Sequence, residues 1–318
     1  MKITVAGCGR WGTFIAWYLD RAGHEVTLYG RSSSENMKRL MSTRKNDYLE
    51  LTETVRLSTE ISSLSEGEAV VISVGAQGLR GLCCQIAEEG IENKTFILCM
   101  KGLEIGTGCR LSQIAAETLH PTNKIAVWLG PGHVQEFYNG VPNCMVIDSD
   151  DEDTKQRLVK ELSGGLIRFY FGTDMIGNEI GAAAKNVIGI AAGMLDGAGV
   201  SSLKGALMAR GAREIARLIK ALGGSELSAY GLCHLGDYEA TVFSPHSHNR
   251  RFGEAFIKGE EFKSLAEGYY TVKALVEMGE KHGVDLPICN AVYAILYENA
   301  NPTNALGRLF DRDTKSEF

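Results

Sequence analysis

Short runs of β-branched and aliphatic residues alternate with helical-period stretches through the first half of the chain. The runs at 3–6, 24–29 (H-E-V-T-L-Y), 69–74, 96–100 (F-I-L-C-M) and 125–129 predict buried strands. Two later runs, 144–147 and 167–171, flank an acidic, solvated helix over 150–162. A helix over 13–22 separates the first two strands. Strands alternating with helices predict an α/β domain built on a parallel sheet. From about Gly177 onward the strand signal stops, and helical periods take over at 181–195, 202–222, 265–282 and 288–298. The pattern therefore divides the 318 residues into an α/β domain over 1–177 and an all-α domain over 178–318.

The first strand runs into Gly7-Cys8-Gly9-Arg10-Trp11-Gly12, and a helix follows. In such a strand–GxGxxG–helix unit Gly7 makes the tight turn, Gly9 lets the backbone approach a pyrophosphate, and Gly12 lets helix pack on strand. The helix N-terminus supplies the anion site. This marks the first domain as a Rossmann dinucleotide-binding domain. After the second strand the chain reads Gly30-Arg31-Ser32-Ser33-Ser34, with no acid before Glu35 to accept from a ribose 2′-hydroxyl. Arginine with hydroxyls suits a 2′-phosphate, so NADP is favoured over NAD.

Ligands in an open parallel sheet bind past the carboxyl ends of strands. Lys101, after the fourth run, and the loop Gly130-Pro131-Gly132-His133, after the fifth, stand at such ends. Lys185 lies in the stretch G-A-A-A-K-N-V-I-G-I-A-A-G, with only Asn186 as a polar neighbour. A lysine among alanines loses hydration, which makes it a usable proton carrier. Between later helices, Gly236 to Arg251 gathers Asp237, Thr241, Ser247, His248, Asn249 and Arg250, more polar groups than a helical domain needs unless they line a site.

Composition narrows the function classes. Hydrophobic residues make up 44% and charged residues 23%, as in ordinary globular proteins. A net charge of −6 without any basic block argues against a nucleic-acid partner. The 8 cysteines form no Cys-x-x-Cys pair, so reduced thiols are expected rather than disulfides or a metal site. No apolar stretch reaches membrane-spanning length, and the chain enters a strand at once from Met1. The expectation is a cytoplasmic protein without a leader.

These motifs, in this order, resemble the NAD(P)-dependent glycerol-3-phosphate dehydrogenases. The likeness runs over roughly residues 1–300, through G-C-G-R-W-G-T (7–13), K-G-L-E (101–104), G-P (130–131), A-K-N-V-I-G-I-A-A-G (184–193), L-G-D (235–237), S-H-N-R-R-F-G (247–253) and E-G (267–268). It implies a helical second domain like that of the 6-phosphogluconate dehydrogenases. It also implies reversible hydride transfer between NAD(P)H and dihydroxyacetone phosphate, giving glycerol 3-phosphate for phospholipid synthesis in a cytoplasmic homodimer. Lys185 falls on the proton-transferring lysine, Asp237 on the acid that orients it, and Lys101 on the lysine that meets substrate and nicotinamide. Arg10, Trp11, Arg31, Val134, His248 and Glu267 join Gly7, Gly9 and Gly12 at cofactor-contacting positions. Gly130, Gly132, Thr241, Ser247, His248, Asn249 and Arg250 join the three catalytic residues as substrate contacts.

The chain departs from the family's usual residues in three places: His248 stands where arginine is usual, Gly132 where Ser, Thr or Asn is, and Val74-Gly75-Ala76 where Val-Pro-Ser is. These changes raise an alternative, a related NADPH-dependent reductase of a different small phosphorylated ketone or aldehyde. Retention of Lys101, Lys185 and Asp237 argues against a nucleotide sensor that has lost catalysis.

Overall fold

A computed structural model describes residues 1–314, 316 and 317. The chain divides into two units, Met1–Lys101 with Cys109–Glu179, and Gly102–Gly108 with Ile180–Phe318. The division expected at 177/178 thus falls two residues further on, inside a helix, and the loop after Lys101 groups with the second unit.

The first unit is built on eight strands: β1 (Lys2–Ala6), β2 (Glu25–Tyr29), β3 (Arg56–Ser58), β4 (Ala69–Ile72), β5 (Thr95–Leu98), β6 (Lys124–Leu129), β7 (Asn143–Asp148) and β8 (Ile167–Phe171). They form one sheet in the order β3-β2-β1-β4-β5-β6-β7-β8. The chain winds outward from β1 to β3 and returns to lay β4 against β1, so the order reverses there. That reversal opens a crevice at the end of β1. Every pair is parallel except β6 with β7. The strand pattern pointed to a parallel sheet, and this pair is its one exception. Between β6 and β7 lies a short helix, α5 (Val134–Tyr138).

The remaining helices of this unit are α1 (Arg10–Arg21), α2 (Glu35–Thr43), α3 (Leu79–Glu88), α4 (Leu111–Thr118) and α6 (Glu152–Leu162). Ile3, Val5, Leu28, Val71, Ile97 and Trp128 from the sheet are buried with Phe14, Ile15 and Leu19 of α1. Each such side chain contributes roughly 1.5–3 kcal/mol of burial, which fixes α1 and the turn before it.

In the second unit α7 (Met175–Gly197, its first turn belonging to the first unit) is followed by α8 (Lys204–Ala221), α9 (His248–Lys258), α10 (Glu267–Lys281), α11 (Pro287–Tyr297) and α12 (Pro302–Phe310). Helices α7 and α9 touch backbone to backbone. A Cβ at Gly193 would lie 1.8 Å from the Arg250 carbonyl oxygen, and one at Gly253 would lie 2.1 Å from that of Ile190. The polar stretch 236–251 is not a simple loop. It resolves into a 3-10 turn (Leu235–Asp237), a π-type turn (Glu239–Phe243) and the first turn of α9, whose N-cap Ser247 accepts from the Arg250 N–H. Among the described residues no helix is long and apolar enough to cross a membrane.

Candidate functional site

The turn after β1 has the form the glycine spacing dictates. Gly7 adopts φ +120°, and a Cβ there would lie 2.1 Å from the Ser73 carbonyl oxygen. A Cβ at Gly12 would lie 1.9 Å from the Gly7 carbonyl oxygen, so both positions exclude any side chain. Gly9 differs: no atom stands within 4 Å of the Cβ it lacks. It is the N-cap of α1 and makes no side-chain cap, so the first N–H groups of the helix face an open approach. Two sealed glycines around one open one fit a pyrophosphate at that terminus.

The flanking residues are spread around this turn. Arg10 donates to Gln135 at 2.5 Å and lies over the Tyr48 ring at 4.9 Å. Burial lowers its pKa, partly countered by Tyr48. Trp11 packs on Phe14 and Phe137, with centroids 5.1 and 6.2 Å apart, and Val134 is buried at the start of α5. Past β2, Arg31 is exposed with Ser32 and Ser33. Ser34 caps α2 through the Met37 N–H, so two of the three serines keep their hydroxyls toward solvent.

At the carboxyl ends of β5 and β6, Lys101 Nζ donates to the Gly130 carbonyl at 2.6 Å. Gly130 and Gly132 adopt φ +132° and +144°. A Cβ at Gly132 would fall 2.2 Å from Cε2 of Phe137, a fully buried ring stacked on Phe14. The absent side chain at 132 therefore has a structural cause, since Phe137 fills its place.

The second unit carries a cluster around Lys185. Its side chain is buried on α7, with Nζ 2.9 Å from Asp237 Oδ2 and donating to Thr241 Oγ1 at 2.8 Å. Thr241 in turn donates to the Asp237 carbonyl at 2.7 Å. The 3-10 and π-type turns thus bring Asp237 and Thr241 together on one ammonium. Gly189, one turn further along α7, lets Thr241 approach, because a Cβ there would lie 2.6 Å from Thr241 Cγ2. Beside the lysine, Asn186 accepts from Asn249 at 3.0 Å, and Asn249 accepts from the Gly268 N–H at 2.9 Å, which orients its amide.

The other expected contacts have partners of their own. Arg250 Nε donates to Asp196 at 2.6 Å, an acid that also takes Lys204 at 2.7 Å. Ser247 is a helix cap with its hydroxyl proton still available. His248 Nδ1 lies 3.3 Å from the Leu265 carbonyl, with its ring 6.4 Å from that of Phe262. Glu267 opens α10, where its carbonyl accepts from Thr271 at 2.9 Å.

Sequence reasoning assigned no role to His234, Tyr238, Asn186 or Gln135. His234 is fully buried beside this cluster. Burial, then the nearby charge of Lys185, holds it neutral, with a pKa lowered to about 4 although the Gly181 carbonyl bond opposes this. Its position next to L-G-D was visible in the sequence, but nothing in local composition distinguishes a histidine that folds inward.

Known proteins resemble the chain along its length. The profile of the NAD-dependent glycerol-3-phosphate dehydrogenase N-terminus matches residues 2–155, and that of the C-terminus matches 174–307. A protein of Prosthecochloris aestuarii named glycerol-3-phosphate dehydrogenase (NAD(P)+) is 34% identical over 100% of both chains. One of the same name from Streptomyces coelicolor is 36% identical over 100% of this chain and 98% of its own. The crystal structure of glycerol-3-phosphate dehydrogenase from Coxiella burnetii superposes with a TM-score of 0.91 at 28% identity, covering 98% of this chain and 99% of that one.

Proposed function

The chain belongs to the NAD-dependent glycerol-3-phosphate dehydrogenase family, and on that premise we propose that it reduces dihydroxyacetone phosphate to glycerol 3-phosphate, reversibly, with NAD(P)H. The observation that carries the reading is the buried lysine of α7, ion-paired to Asp237 at 2.9 Å and bonded to Thr241. A carbonyl accepting hydride becomes an alkoxide, which needs a proton at once; a charged lysine in a dry site delivers it. Asp237 keeps that lysine charged and aimed, and Thr241 fixes its second N–H direction. In the reverse direction neutral Lys185 takes the proton from the alcohol. Lys101 stabilises negative charge growing on the carbonyl oxygen.

A bound nicotinamide nucleotide would supply the hydride. Gly7, Gly9 and Gly12 would shape its pyrophosphate seat, with the first N–H groups of α1 offered to the phosphates. Arg10, Trp11, Val134, His248 and Glu267 are the further contacts the family resemblance assigns. Arg31, with Ser32 and Ser33, favours NADPH over NADH, because an exposed guanidinium after β2 suits a 2′-phosphate and no acid stands between β2 and Glu35. Gly130, Gly132, Ser247, His248, Asn249 and Arg250 complete the substrate contacts in this reading. We read the enzyme as a cytoplasmic homodimer that feeds phospholipid synthesis.

Two observations favour a second reading, reduction of a different small phosphorylated ketone or aldehyde. Phe137 fills the place of any side chain at 132, and His248 carries less fixed charge toward a phosphate than arginine does. The deciding experiment follows NADPH oxidation in absorbance with dihydroxyacetone phosphate and a panel of phosphorylated aldehydes and ketones, with the product identified by mass. The proposed reading requires dihydroxyacetone phosphate to give the highest kcat/KM and glycerol 3-phosphate as product; a higher value for another compound would transfer the assignment to it.

A further inference from the structure

We propose that His234 and Tyr238 are positioning residues for proton transfer, clamping the turn that carries Asp237 onto the stretch of α7 that carries Lys185. The proposal rests on the reading of Lys185 as the proton carrier. His234 immediately precedes the Leu235–Asp237 turn and Tyr238 immediately follows it. Both are buried, and their side chains meet across the turn, Tyr238 Oη to His234 Nε2 at 2.7 Å. The other ring nitrogen, Nδ1, lies 2.8 Å from the Gly181 carbonyl oxygen. A carbonyl only accepts, so Nδ1 carries the hydrogen, and in the neutral ring Nε2 accepts from the tyrosine hydroxyl.

The anchor on α7 is a specific one. Gly181 lies four residues before Lys185, so its carbonyl also receives the backbone N–H of Lys185 in the helical ladder. A Cβ at Gly181 would lie 2.9 Å from that of His234, so glycine permits the close approach. Asp237 is therefore held from both sides, by the clamp through its flanking residues and by Thr241 on its carbonyl. Packing alone needs neither an imidazole nor a phenol here. A buried pair of polar side chains bonded in a single sense fixes geometry at the expense of desolvation.

The clamp works only with a neutral ring. A protonated one would donate from both nitrogens, leave the Tyr238 hydroxyl without its acceptor, and place a second positive charge beside Lys185. The groups facing the ring are Lys185, Asp237, the Tyr238 hydroxyl and the Gly181 and Gly211 carbonyls. Burial dominates among these influences.

The test uses the full chain. Tyr238→Phe deletes one hydroxyl and should lower kcat for reduction about 10- to 100-fold, the scale of a small misplacement of a reacting group. KM and the Kd for NADPH should stay within about twofold, because the clamp touches neither ligand. The alkaline limb of the kcat–pH profile should move to lower pH, since a looser Asp237 holds less charge on the lysine. His234→Gln, which keeps a donor and an acceptor, should retain more activity than His234→Leu. An unchanged kcat and unchanged limb in Tyr238→Phe would overturn the proposal even if the histidine variants fail to fold. A second measurement needs no substrate: NMR of 15N-histidine-labelled protein should show His234 as the neutral Nδ1–H tautomer from pH about 5 to 8, a range in which an ordinary histidine titrates. An Nε2–H tautomer, or titration within that range, would overturn the clamp. If the labelled ring behaves as expected but the wild type leaves dihydroxyacetone phosphate untouched, the error lies in the proposed reaction and the clamp geometry stands.

Discussion

Adding one methyl group at Gly189 separates the geometry of the lysine centre from the stability of the helix that carries it. The new Cβ of Gly189→Ala would lie 2.6 Å from Thr241 Cγ2 and 3.3 Å from Asn249 Cβ. Carbon atoms in contact sit about 3.5–4.0 Å apart, so Thr241 must retreat by about 1 Å. Its hydroxyl bridges Lys185 at 2.8 Å and the Asp237 carbonyl at 2.7 Å, and a retreat of that size takes at least one bond past hydrogen-bonding distance. Overpacking costs about 1–3 kcal/mol, while alanine gains about 1 kcal/mol over glycine inside a helix. The net loss, about 0–2 kcal/mol, leaves a folded protein. A reacting group misplaced by 1 Å loses up to about 100-fold in rate. Steady-state kinetics with NADPH and dihydroxyacetone phosphate, beside urea unfolding, should show a drop of about 10- to 100-fold in kcat with a small change in stability. Gly205→Ala on α8 is the control, because nothing stands within 4 Å of its missing Cβ, and it should keep full activity. A folded Gly189→Ala enzyme with kcat unchanged within about twofold would refute the coupling of Thr241 to the lysine.

Other expectations are more local. Arg31→Ala should weaken NADPH binding more than NADH binding in a fluorescence titration, and equal weakening would remove Arg31 from 2′-phosphate recognition. His248→Arg should lower KM for dihydroxyacetone phosphate and flatten its rise between pH about 6 and 8, because arginine stays charged across that range; an unchanged KM and profile would mean that position 248 does not face the phosphate. Glu214 accepts from the N–H groups of Ile288 and Cys289 at the start of α11, yet burial outweighs those bonds and pushes its pKa up to about 7. Its folded pKa exceeds the unfolded one, so this stabilisation is present below pH about 4.5 and is lost as pH rises to about 7, amounting to about 3 kcal/mol. Urea unfolding of wild type and Glu214→Gln across that interval should show the stability difference shifting by about this amount in favour of the variant; a constant difference would refute it.

The sheet and the glycine turn after β1 were legible in the sequence because both rest on local rules. Continuous β-branched and aliphatic runs mark strands buried on both faces, and Gly7, Gly9 and Gly12 stand at a fixed spacing between a strand and a helix. The antiparallel β7 was not legible, since a strand's own residues do not set its direction in the sheet. The short β3 and α2 to α5 carry too few periods to stand out. Lys185 and Asp237, 52 positions apart in sequence, were paired through family resemblance, whereas the 3-10 and π-type turns that join them left no sequence signal. The glycines of α7 are explained only by their neighbours in space: His234 against Gly181, Thr241 against Gly189 and the backbone of α9 against Gly193. His234 and Tyr238 were missed because a buried polar pair is defined by its partners, and the partner on α7 lies 53 residues from the histidine.

The most direct measurement is a single-turnover reaction in which enzyme loaded with one equivalent of NADPH is mixed with dihydroxyacetone phosphate, for wild type and Lys185→Met. Wild type should oxidise the nucleotide and form glycerol 3-phosphate. The variant should bind NADPH with nearly the same Kd and react about 10²- to 10⁴-fold more slowly, the contribution of a positioned general acid. Equal rates in the two proteins, or a wild type that leaves NADPH unoxidised with this substrate, would contradict the assignment of Lys185 as the proton carrier of a glycerol-3-phosphate dehydrogenase.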